Sequence, residues 1–119
     1  MKGLGLPLRF EQIKKSWVPW LNRYRLTQLM VYVTKGRVVI EVPVGFITNF
    51  ATWIKPRGKY DEATVVHDYL YSEEGQKLYG FTRKQADKIF KEMMERGGCS
   101  RARIHIMYYG VRLFGWTAY

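Results

Sequence analysis

The spacing of apolar residues changes near residue 60, and this change limits the folds that the chain can adopt. Before it, β-branched and aromatic residues crowd residues 24–33 and 37–42, as is typical of strands. After it, apolar positions recur with the period of a helix. One face of the first predicted helix carries Ala63, Val66, His67 and Leu70, at positions i, i+3, i+4 and i+7. The pattern predicts an α+β fold in which a small N-terminal β-hairpin or sheet portion precedes three packed helices.

Glycines and prolines mark the connections between these segments. Residues 34–37, with Gly36 able to adopt a positive φ, predict the turn of a β-hairpin. Residues 1–20 are interpreted as strand or irregular structure with a short helical turn around residues 10–15. Residues 72–81 contain two glycines and are expected to close the first helix.

Capping residues set the limits of the other two helices. Thr82, followed three residues later by Gln85, is the signature of a capping box, and Gly97 is a stop signal. Ser100 is positioned to cap the third helix. The inward positions predicted for these helices are Ala86, Ile89, Phe90 and Met93, then Ile104, Met107, Tyr108 and Val111.

The length of 119 residues suits a single domain, 1–119, with a basic, β-rich part at 1–59 and a helical part at 60–119. Residues 1–59 hold 11 Lys and Arg against 2 acidic residues, giving +9, whereas residues 60–119 hold 9 against 8, giving +1. The excess of positive charge favours binding to the phosphate groups of nucleic acid or of a phospholipid surface. Alternatively, it serves solubility alone. A nucleic-acid partner has no further support, because the sequence carries no zinc-finger, helix-turn-helix or RNA-binding signature.

Cysteine content and hydropathy exclude two classes of protein. The one cysteine, Cys99, cannot form an intramolecular disulfide or a cysteine-based zinc site. No run of about 18 apolar residues occurs, so no transmembrane segment is predicted. We therefore expect neither a disulfide scaffold nor a membrane-spanning protein.

The segment VVHDYLY, residues 65–71, places titratable groups within an apolar run. His67 and Tyr71 are four residues apart and share a helix face, while Asp68 lies about 100° round the axis. Asp87 lies at the margin of the apolar stripe of the second helix, within reach of an antiparallel neighbour. A carboxylate that binds one imidazole nitrogen fixes the tautomer and leaves the other nitrogen as a general base. His67, Tyr71 and Asp87 are therefore the candidate catalytic residues.

Each of these residues also has a structural interpretation. His67 would then be a core histidine that links helices through hydrogen bonds. Asp87 would be a solvated helix charge paired with Arg83 or Lys91. Asp68 would form an ordinary ion pair, or alternatively hold a hard cation such as calcium together with carbonyl groups of the loop at residues 44–50.

Four segments, in their order and spacing, resemble a known family. They are VPVGFITNFAT at 42–52, KYDEATVVHDYLY at 59–71, RKQADKIFKEMM at 83–94 and VRLFGW at 111–116. The chain resembles the domain of unknown function 1353 family, found largely in tailed bacteriophages and prophages, over roughly residues 24–116. The resemblance implies a phage-encoded protein. The first block of that family usually reads Gly-Phe-x-Thr-Asp-Phe-Ala-Ser, and Asn49 and Thr52 replace its acid and its serine here.

A second resemblance bears on chemistry. His67-Asp68-x-x-Tyr71, with Asp87 on the following helix, is similar to the pattern of type A-two phospholipases. That resemblance implies that His67 activates water as the general base, that Asp68 binds calcium, and that Tyr71 and Asp87 support His67. Calcium in such a site polarises the ester carbonyl and stabilises the developing oxyanion. Asn49 is a further candidate calcium ligand through its carbonyl oxygen.

The sequence supports three alternative hypotheses for the function. The first is a phage-encoded hydrolase that acts on a phospholipid or on another ester or amide, with calcium as its candidate cofactor. The second is a non-catalytic virion component, such as a tail, neck or baseplate protein, with other virion proteins as partners. The third, with less support, is a nucleic-acid-binding accessory protein. The expected location is the host cytoplasm during infection, with incorporation into the virion under the second hypothesis.

Overall fold

Five strands followed by four helices make up the described part of the chain. The structure, a computed structural model, describes residues 8–15, 23–48 and 61–114. The strands are β1 (Phe10–Lys14), β2 (Arg23–Leu26), β3 (Met30–Val33), β4 (Val39–Val42) and β5 (Ile47–Thr48). The helices are α1 (Asp61–Tyr71), α2 (Glu73–Tyr79), α3 (Arg83–Arg96) and α4 (Arg101–Phe114). The predicted α+β class is confirmed, with four helices in place of three.

One antiparallel sheet has the order β1-β2-β5. Its central strand alternates, since Tyr24 and Leu26 are buried while Arg25 is exposed and binds Glu11 of β1 at 2.6 Å. The helical turn predicted around residues 10–15 is wrong, because these residues extend to pair with β2. At the other edge, Tyr24 pairs with Thr48, which fixes the position of the short strand β5.

The second sheet is the predicted hairpin, formed by β3 and β4. Its turn is closed by the Arg37 amide, which donates to the Thr34 carbonyl at 2.9 Å. The positive φ falls on Arg37, at 66°, rather than on Gly36. A tight turn followed by one left-handed residue is a common hairpin loop, and it places that residue last.

The segment predicted as a closing loop after α1 is instead a helix, α2. Ser72 caps it by accepting a hydrogen bond from the Gly75 amide at 3.1 Å. Gly80 ends it with a φ of 65°. Of the two glycines taken as breakers, one therefore lies inside the helix and the other terminates it.

The capping box of α3 and the stop at Gly97 are confirmed. The predicted inward residues of α3 are all buried, as are Ile104 and Met107 of α4, while Tyr108 is half-buried. The predicted inward position Val111 has a side chain outside the described part of the structure. Helix α3 packs against α1 on one side and α4 on the other. None of the described helices is long and apolar enough to cross a membrane.

Candidate functional site

A buried histidine on α1 meets a buried aspartate on α3. His67 is 7 % exposed and Asp87 is 0 % exposed. The His67 Nε2 atom lies 2.7 Å from Asp87 Oδ1. The imidazole packs beside the rings of Tyr71 and Phe90, with centroid distances of 4.2 and 4.9 Å. The apolar stripes that pack α1 on α3 therefore also hold this polar pair in place.

Two further donors bind the Asp87 carboxylate. The Tyr71 hydroxyl donates to Oδ1 at 2.5 Å, and Arg112 Nη1 of α4 donates to Oδ2 at 2.8 Å. Arg83 donates to the backbone carbonyl of Arg112 at 3.0 Å, which links the start of α3 to the last turn of α4. Three helices thus converge on one carboxylate.

These hydrogen bonds shift the pKa values of Asp87 and Tyr71 in opposite directions. Burial alone would raise the pKa of Asp87, but the hydrogen bonds from His67, Tyr71 and Arg112 outweigh it and lower the pKa of that carboxyl. Burial, together with the bond to Asp87, raises the pKa of Tyr71, so its phenol remains a donor. An ionised Asp87 requires a proton on Nε2 of His67, and the lone pair of the neutral ring then lies on Nδ1.

The second ring nitrogen of His67, Nδ1, has no hydrogen-bond partner among the described residues. A histidine that served only to link two helices would be expected to use both ring nitrogens when buried. Nδ1 can therefore accept a proton from a water molecule or a substrate group.

Asp68 occupies a separate position beside this network. Its Oδ2 accepts a hydrogen bond from the Thr48 hydroxyl of β5 at 2.5 Å. Burial raises the pKa of Asp68, while the Thr48 hydrogen bond and the neighbouring His67 oppose the rise. The pairing of β5 with β2 places Thr48 against α1 and so holds this carboxylate.

The structure brings together His67, Tyr71 and Asp87, the three predicted catalytic residues; their catalytic role stays a prediction. Asp68 lies next to them, and Asn49, the other predicted metal ligand, is outside the described residues. The interpretation of Asp87 as a solvated charge is wrong, because this side chain is fully buried. His105, the other histidine of the chain, is exposed and stacks on Tyr109.

Sequence reasoning missed two residues of this site, Arg112 and Thr48. Arg112 follows Ile104 and Tyr108 at steps of four, so it continues an inward-facing row of α4. A basic residue in such a row is a signal for a buried acid opposite it. Thr48 is a polar residue within the apolar run GFITNF, but nothing local indicates its partner.

The donors for a metal ion are few. Among the described residues, no group of three or more His, Cys, Asp and Glu side chains could hold one. Calcium takes roughly six to eight oxygen ligands, and Asp68 supplies a single carboxylate. The described residues therefore do not fit a calcium site by themselves.

Residues 24–111 match the model of a family described as Protein of unknown function (DUF1353). The chain belongs to this family. The DUF1353 match includes His67, Asp68, Tyr71 and Asp87, whereas Arg112 lies one residue beyond it. No curated protein and no solved structure matches the chain. Because DUF1353 membership brings no activity with it, a function has to be argued from the site.

Proposed function

We propose that the chain is a hydrolase of ester or amide bonds, with His67 as general base and Tyr71 and Asp87 as residues that position it. The observation that carries this proposal is the hydrogen bond of 2.7 Å between His67 Nε2 and the fully buried Asp87. It leaves the basic lone pair on Nδ1, which has no partner among the described residues. The three hydrogen bonds to Asp87, together with the packing of the imidazole beside Tyr71 and Phe90, give the orientation that proton transfer needs.

The proposed reaction needs one water molecule and one acyl substrate. His67 Nδ1 takes a proton as the water oxygen attacks the carbonyl carbon, which forms a tetrahedral intermediate. Asp87 stabilises the imidazolium that results. The imidazolium then returns the proton to the leaving oxygen or nitrogen, so that an acid and an alcohol or amine are released. No step is assigned to calcium.

A phospholipid is the preferred substrate class within this proposal. The arrangement of His67, Asp68, Tyr71 and Asp87 is similar to that implied by the type A-two phospholipase pattern, and it supports a lipid ester. A phage or prophage origin, with action on the host envelope, belongs to the same proposal. Whether hydrolysis depends on calcium is measured by comparing release in calcium and in chelator.

The test is release of fatty acid from mixed phospholipid vesicles, in calcium and in chelator. We expect release by the wild-type chain and a loss of about a thousandfold in His67→Ala, because the variant has no general base. His105→Ala is the matched control, since it removes an exposed histidine of α4. Circular dichroism and a urea midpoint establish that each variant is folded.

Two results would contradict the proposal. One is fatty-acid release that persists in a folded His67→Ala variant, which would show that His67 is not the general base. The other is no release of acid by the wild-type chain from any vesicle, ester or amide tested, with or without calcium.

A second candidate function is supported by the burial of the same histidine. His67 is 7 % exposed and packed between two aromatic rings, which also suits a non-catalytic packing unit of a virion component. This alternative predicts no turnover, a His67→Ala variant that is partly unfolded, and the chain among the proteins of purified phage particles. Mass spectrometry of such particles tests it.

A further inference from the structure

Helix α4 presents an apolar stripe to solvent, on the side opposite its buried residues. Ile106, Tyr109 and Leu113 are 66 %, 57 % and 65 % exposed. Ala102, one turn before Ile106, is exposed as well. At 3.6 residues per turn, these four positions fall within about 60° of one another round the helix. The stripe is therefore continuous along three turns, unlike a scattering of single exposed apolar residues.

Basic residues border the stripe. Around the helix, Arg103 lies on one side of it and Arg101 lies on the other, while Arg112 is committed to Asp87. Helix α4 contains no acidic residue. Lys91 of α3 adds a positive charge beside α4, with its ammonium 5.2 Å from the centre of the Tyr108 ring.

The charges of the four helices are separated along the chain. Residues 61–79 hold one Lys against five acids, giving −4, whereas residues 83–114 hold eight Lys and Arg against three acids, giving +5. The helical part has a net charge near zero only because these two regions cancel. The positive region is the one that carries the exposed stripe.

We infer that this face of α4 binds the surface of an anionic phospholipid membrane. An amphipathic helix whose exposed apolar residues are flanked by arginine lies in the plane of a membrane interface, with its apolar side chains in the headgroup and acyl boundary. Arginines at its margins then pair with lipid phosphate. The inference goes beyond the proposed hydrolysis and holds without it.

Other occupants fit this face less well. In a second copy of the chain, two arginine-bordered faces without acids would meet, and their like charges would repel. Nucleic acid would attract the positive charge of this face but would leave Ile106 and Leu113 without an apolar partner. A membrane satisfies both features at once.

The test is sedimentation of the full chain with vesicles of ether-linked phospholipids, which contain no ester to hydrolyse. We expect binding to vesicles that contain phosphatidylglycerol, weak binding to phosphatidylcholine alone, and release as salt rises. Ile106→Ser with Leu113→Ser should lower the apparent affinity by about tenfold or more. The matched control is Val44→Ser with Leu78→Ser, since both residues are 63 % exposed and lie outside α4; it should bind like the wild type.

Several outcomes would overturn the inference. These are equal binding by the Ile106→Ser, Leu113→Ser variant and the wild type, an equal loss in the control variant, and equal binding to both kinds of vesicle. Self-association that this variant abolishes, without vesicle binding, would assign the face to a second copy. Binding to duplex DNA in place of vesicles would assign it to nucleic acid. Vesicle binding without hydrolysis of ester lipids would contradict a phospholipid as the substrate of the proposed hydrolase and would leave the membrane inference unchanged.

Discussion

Asp68 carries a charge that folding alone does not require. Its carboxylate is half-buried, and burial raises its pKa above the value of about 3.9 in an unfolded chain. Between those two values the folded state binds more protons, so the free energy of unfolding falls as pH rises from the unfolded-state pKa through the folded-state pKa. Because the Asp68 carboxylate lowers the stability of the fold, its presence is more readily explained by a role in the candidate site around His67.

We expect Asp68→Asn to raise the free energy of unfolding at pH 7 by about 1 kcal/mol. The asparagine removes the charge from this half-buried position, and its side-chain oxygen still accepts the hydrogen bond from Thr48. The gain should vanish at pH 3, where the wild-type carboxyl is protonated. Urea denaturation at both pH values, in chelator, measures the effect.

The control for this variant is Asp61→Asn on the same helix. Asp61 lies in the first turn of α1, where a negative charge is favourable, so its neutralisation should lower stability by a few tenths of a kcal/mol. An Asp68→Asn variant that is less stable than wild type at pH 7 would show that its charge is satisfied in the fold. The pKa of Asp68 would then not be raised by burial.

The sequence predicts the residues of the site better than it predicts their partners. His67 and Tyr71 share a helix face through spacing alone, and the capping box fixed the phase of α3 that turns Asp87 inward. Arg112 and Thr48 are brought in by α4 and β5, and their contacts with the site span 25 and 20 residues. Such contacts depend on how elements pack, for which no local pattern exists.

At the scale of elements, the junction of α1 and α2 depends on Gly75. A Cβ atom at this position would lie 2.0 Å from the backbone carbonyl oxygen of Tyr69, in the last turn of α1. The Ser72 hydroxyl donates to the same carbonyl at 2.5 Å and caps α2 at Gly75. Because Gly75 has no Cβ atom, it allows the backbones of α1 and α2 to approach closely. Composition alone cannot separate that role from a helix break, which explains the missed helix.

Gly75→Ala should accordingly destabilise the chain by roughly 3 kcal/mol, because the backbone of α1 or α2 must shift. Gly36→Ala is the matched control, since its added Cβ would meet only the Thr34 hydroxyl at 3.8 Å, an ordinary contact. Thermal unfolding by circular dichroism compares the two. Equal midpoints for both variants would mean that the junction relaxes freely and is not set by Gly75.

At the scale of the whole molecule, the hairpin is joined to the helices by hydrogen bonds of half-buried polar side chains. The Tyr32 hydroxyl of β3 donates to the Glu92 carboxylate of α3. Arg96 donates to the Tyr32 oxygen at 2.9 Å and to the Val33 carbonyl at 3.0 Å. Tyr79 of α2 accepts from the Glu41 amide of β4 at 2.8 Å, on the other strand of the hairpin. Two helices therefore hold the two strands, and the hairpin and helices should unfold together.

Tyr32→Phe tests this linkage, because it removes the hydroxyl that joins Glu92 to Arg96 and keeps the ring that fills the core. We expect a loss of about 1–2 kcal/mol in the free energy of unfolding, and Tyr109→Phe on the exposed face of α4 should change it by less than about 0.5 kcal/mol. Amide exchange of β3 and helical circular dichroism should report the same transition in urea. Loss of hairpin protection while the helices remain folded would show that the two parts are independent units, and these hydrogen bonds would then join them without making them cooperative.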